Sequence, residues 1–199
     1  MDDQTAAAAT KALLRAAALV RREALDRPTR EALSAAIAAR ALPVILSAGP
    51  RHVACYHAIR GECDTAPIIA GLRAAGVEVG LPAVLDPTTI AFRHHHPDKP
   101  VGAGGFGTLA PLDDAPLLEP DLIVVPLVAF DRRGARLGYG KGFYDRAFAA
   151  LAAAGLRPLR LGIAFAIQEV ETIPVEAHDF RLDVVVTERE TLDLRQAAD

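Results

Sequence analysis

Residues Asp121 to Arg146 read DLIVVPLVAFDRRGARLGYGKGFYDR. The stretch opens on an apolar run, Leu122-Ile123-Val124-Val125, with Asp121 before it and Pro126 after it. A short β-branched run between breakers predicts a strand buried on both faces, central in a parallel sheet. A polar turn follows, Phe130 to Gly134, and then Arg136-Leu137-Gly138-Tyr139-Gly140-Lys141-Gly142-Phe143-Tyr144-Asp145-Arg146. Gly138, Gly140 and Gly142 fall at every second position, among Arg and Lys. That pattern predicts a loop of bare backbone amides with positive charge. A helix is expected from Phe143 to about Leu151. Strand, glycine loop and helix together make the place where α/β proteins bind anions.

The rest of the chain fits one domain over residues 1–199. Its charges net −3, without the strong basic excess of a general nucleic-acid binder. Cys55 and Cys63 have no CxxC partner. They are expected as reduced core thiols, which favours a cytoplasmic location. Met1-Asp2-Asp3-Gln4 is acidic and polar, with no secretory leader pattern after it. No apolar run approaches the roughly 18 residues of a membrane span. A monomer is expected.

Taken in order, an alanine-rich helix is predicted over 5–26, capped at Thr5 or Thr10. Lys11 and Arg15 share one of its faces. Arg21, Arg22 and Arg27 extend the charge, and alone this run reads as a solvated basic stripe. A second helix is predicted over 29–41, ahead of Pro43. Strands are expected over 51–58 and 77–82. The helix between them, 67–75, is capped by Asp64 or Thr65 and ended by Gly76. A further strand is expected over 88–95. His94-His95-His96 sits at its end and reads as a solvated terminus, because adjacent strand residues face opposite ways. Residues 99–110 are glycine-rich and read as an open loop. Strands over 159–165 and 182–187 flank a polar loop at 173–179. The alternation predicts an α/β fold, a single three-layer α/β/α domain with a Rossmann-like, mostly parallel sheet.

The glycine loop has no Walker A pattern and the wrong spacing for a dinucleotide fingerprint. Its own chemistry is more informative. Amides from Leu137 to Phe143 suit a polyphosphate, and Arg136 and Lys141 add two cations. Lys11 and Arg15 add two more if the first helix packs over the loop. A charge pair at about 4 Å near a protein surface is worth about 4 kcal/mol before desolvation, so four cations suit a triphosphate better than one phosphate. Asp145 begins the next helix. A carboxylate beside phosphates needs a bridging cation, for which Mg2+ is the natural choice. Asp179 could reach the same metal through the fold.

The run Phe130-Asp131-x-x-Gly134-x-Arg136-Leu137-Gly138-x-Gly140-x-Gly142-Phe143-Tyr144-Asp145 resembles the signature of the 5-formyltetrahydrofolate cyclo-ligase family. Lys11-x-x-x-Arg15, Glu62-x-Asp64-Thr65, Phe106-Gly107 and the Pro174, Asp179, Asp183 segment extend the resemblance over nearly the whole chain. It implies an enzyme that uses ATP and Mg2+ to close 5-formyltetrahydrofolate to 5,10-methenyltetrahydrofolate, releasing ADP and phosphate. It implies that Lys11 and Arg15 hold ATP phosphates and that Arg136 to Tyr144 wrap them. Arg136 and Lys141 would meet the charge of the transferred phosphoryl group, and Asp145 and Asp179 would hold Mg2+. Glu62 would bind the pterin, with His57, Phe106 and Tyr144 lining the folate pocket. Without the family, Glu62 reads as an exposed acid before a helix, and Tyr139 and Phe143 as packing aromatics. Two segments depart from the family pattern: Ala110-Pro111 stands where Glu-Pro is usual, and residues 91–105 are unlike the usual run. A silent nucleotide- or folate-binding relative, or an isomerase or coenzyme A transferase on a similar sheet, are the alternatives.

Overall fold

The computed structural model describes residues 3–105 and 107–195. Two helices lead, α1 (Asp3–Glu23) and α2 (Arg27–Ser47), followed by β1 (His52–Ala54), α3 (Ala66–Ala74) and β2 (Glu78–Val84). Strand β3 (Ile90–His94) comes next. A hairpin of β4 (Val101–Ala103) and β5 (Leu109–Pro111) then leads to β6 (Leu122–Val125). A second hairpin, β7 (Ala129–Phe130) with β8 (Arg136–Leu137), precedes α4 (Phe143–Ala153) and β9 (Leu159–Ile163). The strands β10 (Val184–Val186) and β11 (Thr191–Asp193) follow.

The main sheet runs β11-β10-β9-β6-β1-β2-β3. Its inner pairings are parallel, and only β10–β11 and β2–β3 are antiparallel. The parallel strands alone follow one of the two common doubly wound orders. From β1 the chain goes to β2 on one side, then crosses to β6 on the other. Such a reversal opens a crevice beyond the carboxyl ends of β1 and β6.

Burial explains the layers. All four residues of β6 are buried. Leu122 and Val124 face a core with Ile37, Ala41 and Ile45 of α2 and Ile68 and Leu72 of α3. Ile123 and Val125 face the opposite core, with Ala147 and Phe148 of α4. Each such apolar side chain contributes about 1.5–3 kcal/mol by leaving water. Helix α1 lies apart from both, packing Ala18 against Val128, Ala129 and Leu137 near the second hairpin. No helix is long and apolar enough to cross a membrane among the described residues.

Several predicted boundaries move, each for a local reason. Helix α2 runs through Pro43 to Ser47, because Ile45, fully buried against the sheet, outweighs the lost backbone hydrogen bond. Asp26, expected inside the first helix, caps the second: its carboxylate accepts from the Thr29 amide at 2.8 Å. Thr10 lies inside α1 and bonds back to the Ala6 carbonyl, so it caps nothing. Strand β1 ends at Ala54, and Tyr56 turns out of the sheet with its carbonyl taken by the Thr65 hydroxyl at 2.5 Å. Strand β2 extends to Val84 and includes Pro82, which lies past the end of β1, so no β1 carbonyl lacks a donor. The glycine-rich 99–110 segment carries the β4–β5 hairpin. Strand β11 is too short and polar to show in periodicity.

The second hairpin is tied by Asp131, which is fully buried. Its carboxylate accepts from the amides of Arg133 (2.9 Å), Ala135 (3.1 Å) and Ile173 (3.0 Å), and from the Arg133 guanidinium (3.0 Å). We predict that Asp131→Ala, which strands these donors, lowers unfolding free energy by about 3 kcal/mol or more in urea titrations. A loss below about 1 kcal/mol would show that water replaces the carboxylate without cost.

Candidate functional site

The crevice at the strand reversal holds a cavity of about 900 Å3, within the usual range for small-molecule sites. Lys11, Arg15, His57, Glu62, the run Arg136 to Asp145, and Asp179 all line it. The chain thus brings together nearly every residue singled out from sequence. Phe106 lies outside the described residues.

The glycine loop forms one wall. Gly142 caps α4 in the left-handed region, with φ of 66°, and a Cβ there would lie 2.8 Å from Arg146 Nη1. A side chain would therefore both strain the backbone and collide. No side chain occupies the cap, so the first-turn amides and the positive end of the helix dipole face the loop. Arg15 Nε donates to the Gly138 carbonyl at 2.7 Å, drawing α1 over the loop. Arg146 donates to the Lys141 carbonyl (2.7 Å) and the Thr88 carbonyl (2.5 Å), anchoring the far end. The Lys141 side chain is exposed and makes no ion pair with any described residue.

The other cations are already engaged. Lys11, nearly buried, donates to Glu176 Oε2 and Asp179 Oδ2, both at 2.7 Å. Burial pulls the Lys11 ammonium toward neutrality, but these carboxylates prevail and hold its pKa above the ordinary lysine value. Asp179 shows the mirror effect: burial raises its pKa, yet Lys11 and the Glu176 amide bring it below the usual range. Arg136 Nη2 pairs with Asp145 Oδ1 at 2.8 Å, and its Nη1 donates to the Phe180 carbonyl. The Phe180 amide also donates to Asp145 Oδ1, at 3.1 Å. Asp179 therefore meets Asp145 through the backbone of its neighbour. Glu176, His178 and Asp179 offer ligand atoms within 4.8 Å of one another, and Asp145 is not in that group. The donors are mostly hard oxygens, which suits Mg2+ completed by phosphate oxygens.

A second wall surrounds Glu62, which is buried, not the exposed acid of the bare sequence reading. Its Oε2 accepts from the Ile59 amide at 2.9 Å, and Tyr139 approaches it from the glycine loop. Burial pushes the Glu62 carboxyl upward, against the Ile59 amide and the charges of Arg22 and Arg60. Arg22, expected in a solvated stripe, is fully buried. It donates to the Tyr139 hydroxyl (2.7 Å), the Arg60 carbonyl (3.0 Å) and the Leu127 carbonyl (3.4 Å). Seven residues separate it from Arg15, two helical turns, so spacing alone offered the signal that both lie on one face. Tyr144 lines the cavity with a buried hydroxyl that has no partner among the described residues, an acceptor or donor position open to a ligand. His57 is exposed on the same rim. Glu176, the second partner of Lys11, had no motif to reveal it.

The chain is similar to proteins of one family. The family model described as the 5-formyltetrahydrofolate cyclo-ligase family matches residues 7–188. The 5-formyltetrahydrofolate cyclo-ligase of Escherichia coli strain K12 is 36% identical over 177 residues, covering 84% of this chain and 94% of its own. That of Saccharomyces cerevisiae is 34% identical over 204 residues, 89% of this chain and 95% of its own. The solved 5,10-methenyltetrahydrofolate synthetase of Aquifex aeolicus superposes with a TM-score of 0.79 at 32% identity, covering 95% of each chain.

Glu62 gives the site a pH signature. A carboxyl whose folded pKa is raised stabilises the fold below its unfolded pKa and loses that contribution as pH rises through the folded value. Glu62→Gln removes this loss. Its stability relative to wild type is therefore expected to rise in urea titrations over the interval from the ordinary glutamate value, about pH 4, up to the raised folded value. A difference that stays constant over that interval would contradict the buried, uphill carboxylate.

Proposed function

Because the chain belongs to the 5-formyltetrahydrofolate cyclo-ligase family, we propose that it closes 5-formyltetrahydrofolate to 5,10-methenyltetrahydrofolate at the expense of ATP. The observation that supports this best is one cavity that joins the anion-binding loop to the buried Glu62. A formamide oxygen is a poor leaving group and must be activated. In the proposed sequence that oxygen attacks the γ-phosphorus, the bond from phosphorus to the ADP oxygen breaks, and an N5 iminium phosphate results. N10 then adds to the activated carbon and loses its proton, and phosphate departs with the carbon–oxygen bond electrons. The protein's share is positioning and charge neutralisation.

The residues divide between two tasks. Arg15, the loop from Arg136 to Tyr144, and the first-turn amides of α4 hold the nucleotide phosphates, with Lys11 joining them when its carboxylates turn to a cation. Lys141 and Arg136 face the charge that develops on the γ-phosphoryl group. Lys141 is the more direct of the two, since Arg136 already bridges Asp145 and the Phe180 carbonyl. Mg2+, held by Asp179 and Asp145 with Glu176 nearby, would neutralise phosphate charge when bound. Glu62 accepts from the pterin amino and ring N–H groups, and His57, Phe106 and Tyr144 complete the folate side. Tyr144 brings its unpartnered hydroxyl to that side. The two buried free cysteines, whose thiols burial pushes up to about 12, suit a reducing, cytoplasmic setting and take no part. We expect a monomer.

Mixing the protein with Mg·ATP and 5-formyltetrahydrofolate should raise the methenyl-folate absorbance. ATP binding without that signal would leave only a binding protein. Lys141→Ala is expected to lower kcat/KM by about a hundredfold or more, with the urea midpoint unchanged. Near-normal turnover in that variant would remove Lys141 from the chemistry.

A further inference from the structure

Residues Ile59 to Glu62 make a tight turn closed by a hydrogen bond from the Glu62 amide to the Ile59 carbonyl, 2.9 Å long. Both central residues have positive φ, 49° at Arg60 and 74° at Gly61. That is the sign pattern of a type I′ turn, whose central positions favour Gly, Asn and Asp. Gly61 fits. Arg60 does not, and it is the one non-glycine residue with positive φ among the described residues. Strained backbone of this kind persists where the surroundings enforce it, and it clusters at ligand-binding sites.

The surroundings here are specific. Fully buried Arg22 grips the Arg60 carbonyl at 3.0 Å. The Arg60 guanidinium lies over the Tyr139 ring, 5.4 Å from its centroid, and lines the cavity. It makes no hydrogen bond or ion pair with any described residue, unlike Lys11, Arg22 and Arg136. It stands between the buried carboxylate of Glu62, two residues on, and the middle of the glycine loop. A long, charged side chain thus occupies a position that favours small residues, exposed along the cavity wall and stacked on Tyr139.

We propose that Arg60 is a ligand-binding residue of this cavity, its guanidinium contacting an anionic group of a substrate. The chemistry is that of a planar fork meeting a phosphoryl or carboxylate oxygen pair. Naming the sources rests on the proposed function: the anion is either a nucleotide phosphoryl group or a carboxylate of the folate glutamate.

Arg60→Gly tests this, because glycine adopts the turn without strain. Its urea midpoint should equal or exceed that of wild type. Calorimetric titration of a non-hydrolysable ATP analogue with Mg2+, of 5-formyltetrahydrofolate, and of inorganic triphosphate then reads the binding. A loss of about 10- to 100-fold is expected for one class of ligand, with part of it restored in Arg60→Lys. Loss on the phosphate ligands identifies a phosphoryl contact, and loss on the folate alone a carboxylate contact. Unchanged affinity for every ligand that wild type binds overturns the proposal, as does a fall in urea midpoint that accompanies equal loss for all. Triphosphate separates the two readings: if wild type binds it but not the folate, the proposed function fails while Arg60 is still tested. Wild type that binds none of the three overturns both.

Discussion

Strand β6 has no face to give to solvent. With Leu122 and Val124 packed on one side and Ile123 and Val125 on the other, the chain leaves it only at the carboxyl edge, beside the end of β1. The polar groups that line the cavity are assembled there. The Asp131 turn, the second hairpin, the glycine loop and the start of α4 are successive consequences of that exit. The sheet order then places the loop after β1, with Glu62, across from them. A buried strand that runs to a reversal in sheet order therefore fixes where the site must be, before any of its chemistry is considered.

The site is also balanced against itself. Lys11 is held by Glu176 and Asp179, and Arg136 by Asp145. Unpaired charges at this depth would cost several kcal/mol each, so pairing lets a cavity crowded with ionic groups coexist with a folded sheet. The consequence for binding is exchange. Under the proposed function, an incoming triphosphate would compete with carboxylates for Lys11, and an incoming cation would compete with lysine for the carboxylates. Either exchange alone would leave one charged partner unmatched, whereas together they would conserve the number of contacts. A nucleotide and a divalent cation arriving as one unit fit such a site better than either alone.

Local patterns in the sequence were legible where one interaction decided the outcome. The Leu122–Val125 run could only be a central strand, and the glycines at alternate positions could only be a loop. Pro43 misled, because helix propensity is a weak term beside the burial of Ile45. Residues 99–110 misled too, since glycine content hid a hairpin set by its pairing, Val101 with Pro111 and Ala103 with Leu109. In the site, the motif residues were found, with Asp145 and Asp179 among them, but two of their partners were not. Arg22 looked like one more surface cation in an alanine-rich helix, and Glu176 had no spacing to mark it. Arg60 shows only in backbone dihedral angles, which depend on what grips its carbonyl from 38 residues away along the chain. Residues that bind through local loops declare themselves in sequence; residues whose meaning lies in a distant contact do not.

The polar ties of α1 to the site span 105 to 168 positions of the chain, from Arg22–Leu127 to Lys11–Asp179, apart from the shorter one to Arg60. Contacts of that range bear loop-closure entropy before they return anything. The strands of the central sheet, all within residues 52–193, need none of α1 for their pairing. The sheet and its carboxylates are thus built without the helix that supplies Lys11 and Arg15, whose docking bears the longer loop closures. Until it docks, Glu176 and Asp179 lack the lysine that neutralises them. Docking of that one helix adds Lys11 and Arg15 to the cations that the rest of the cavity already carries.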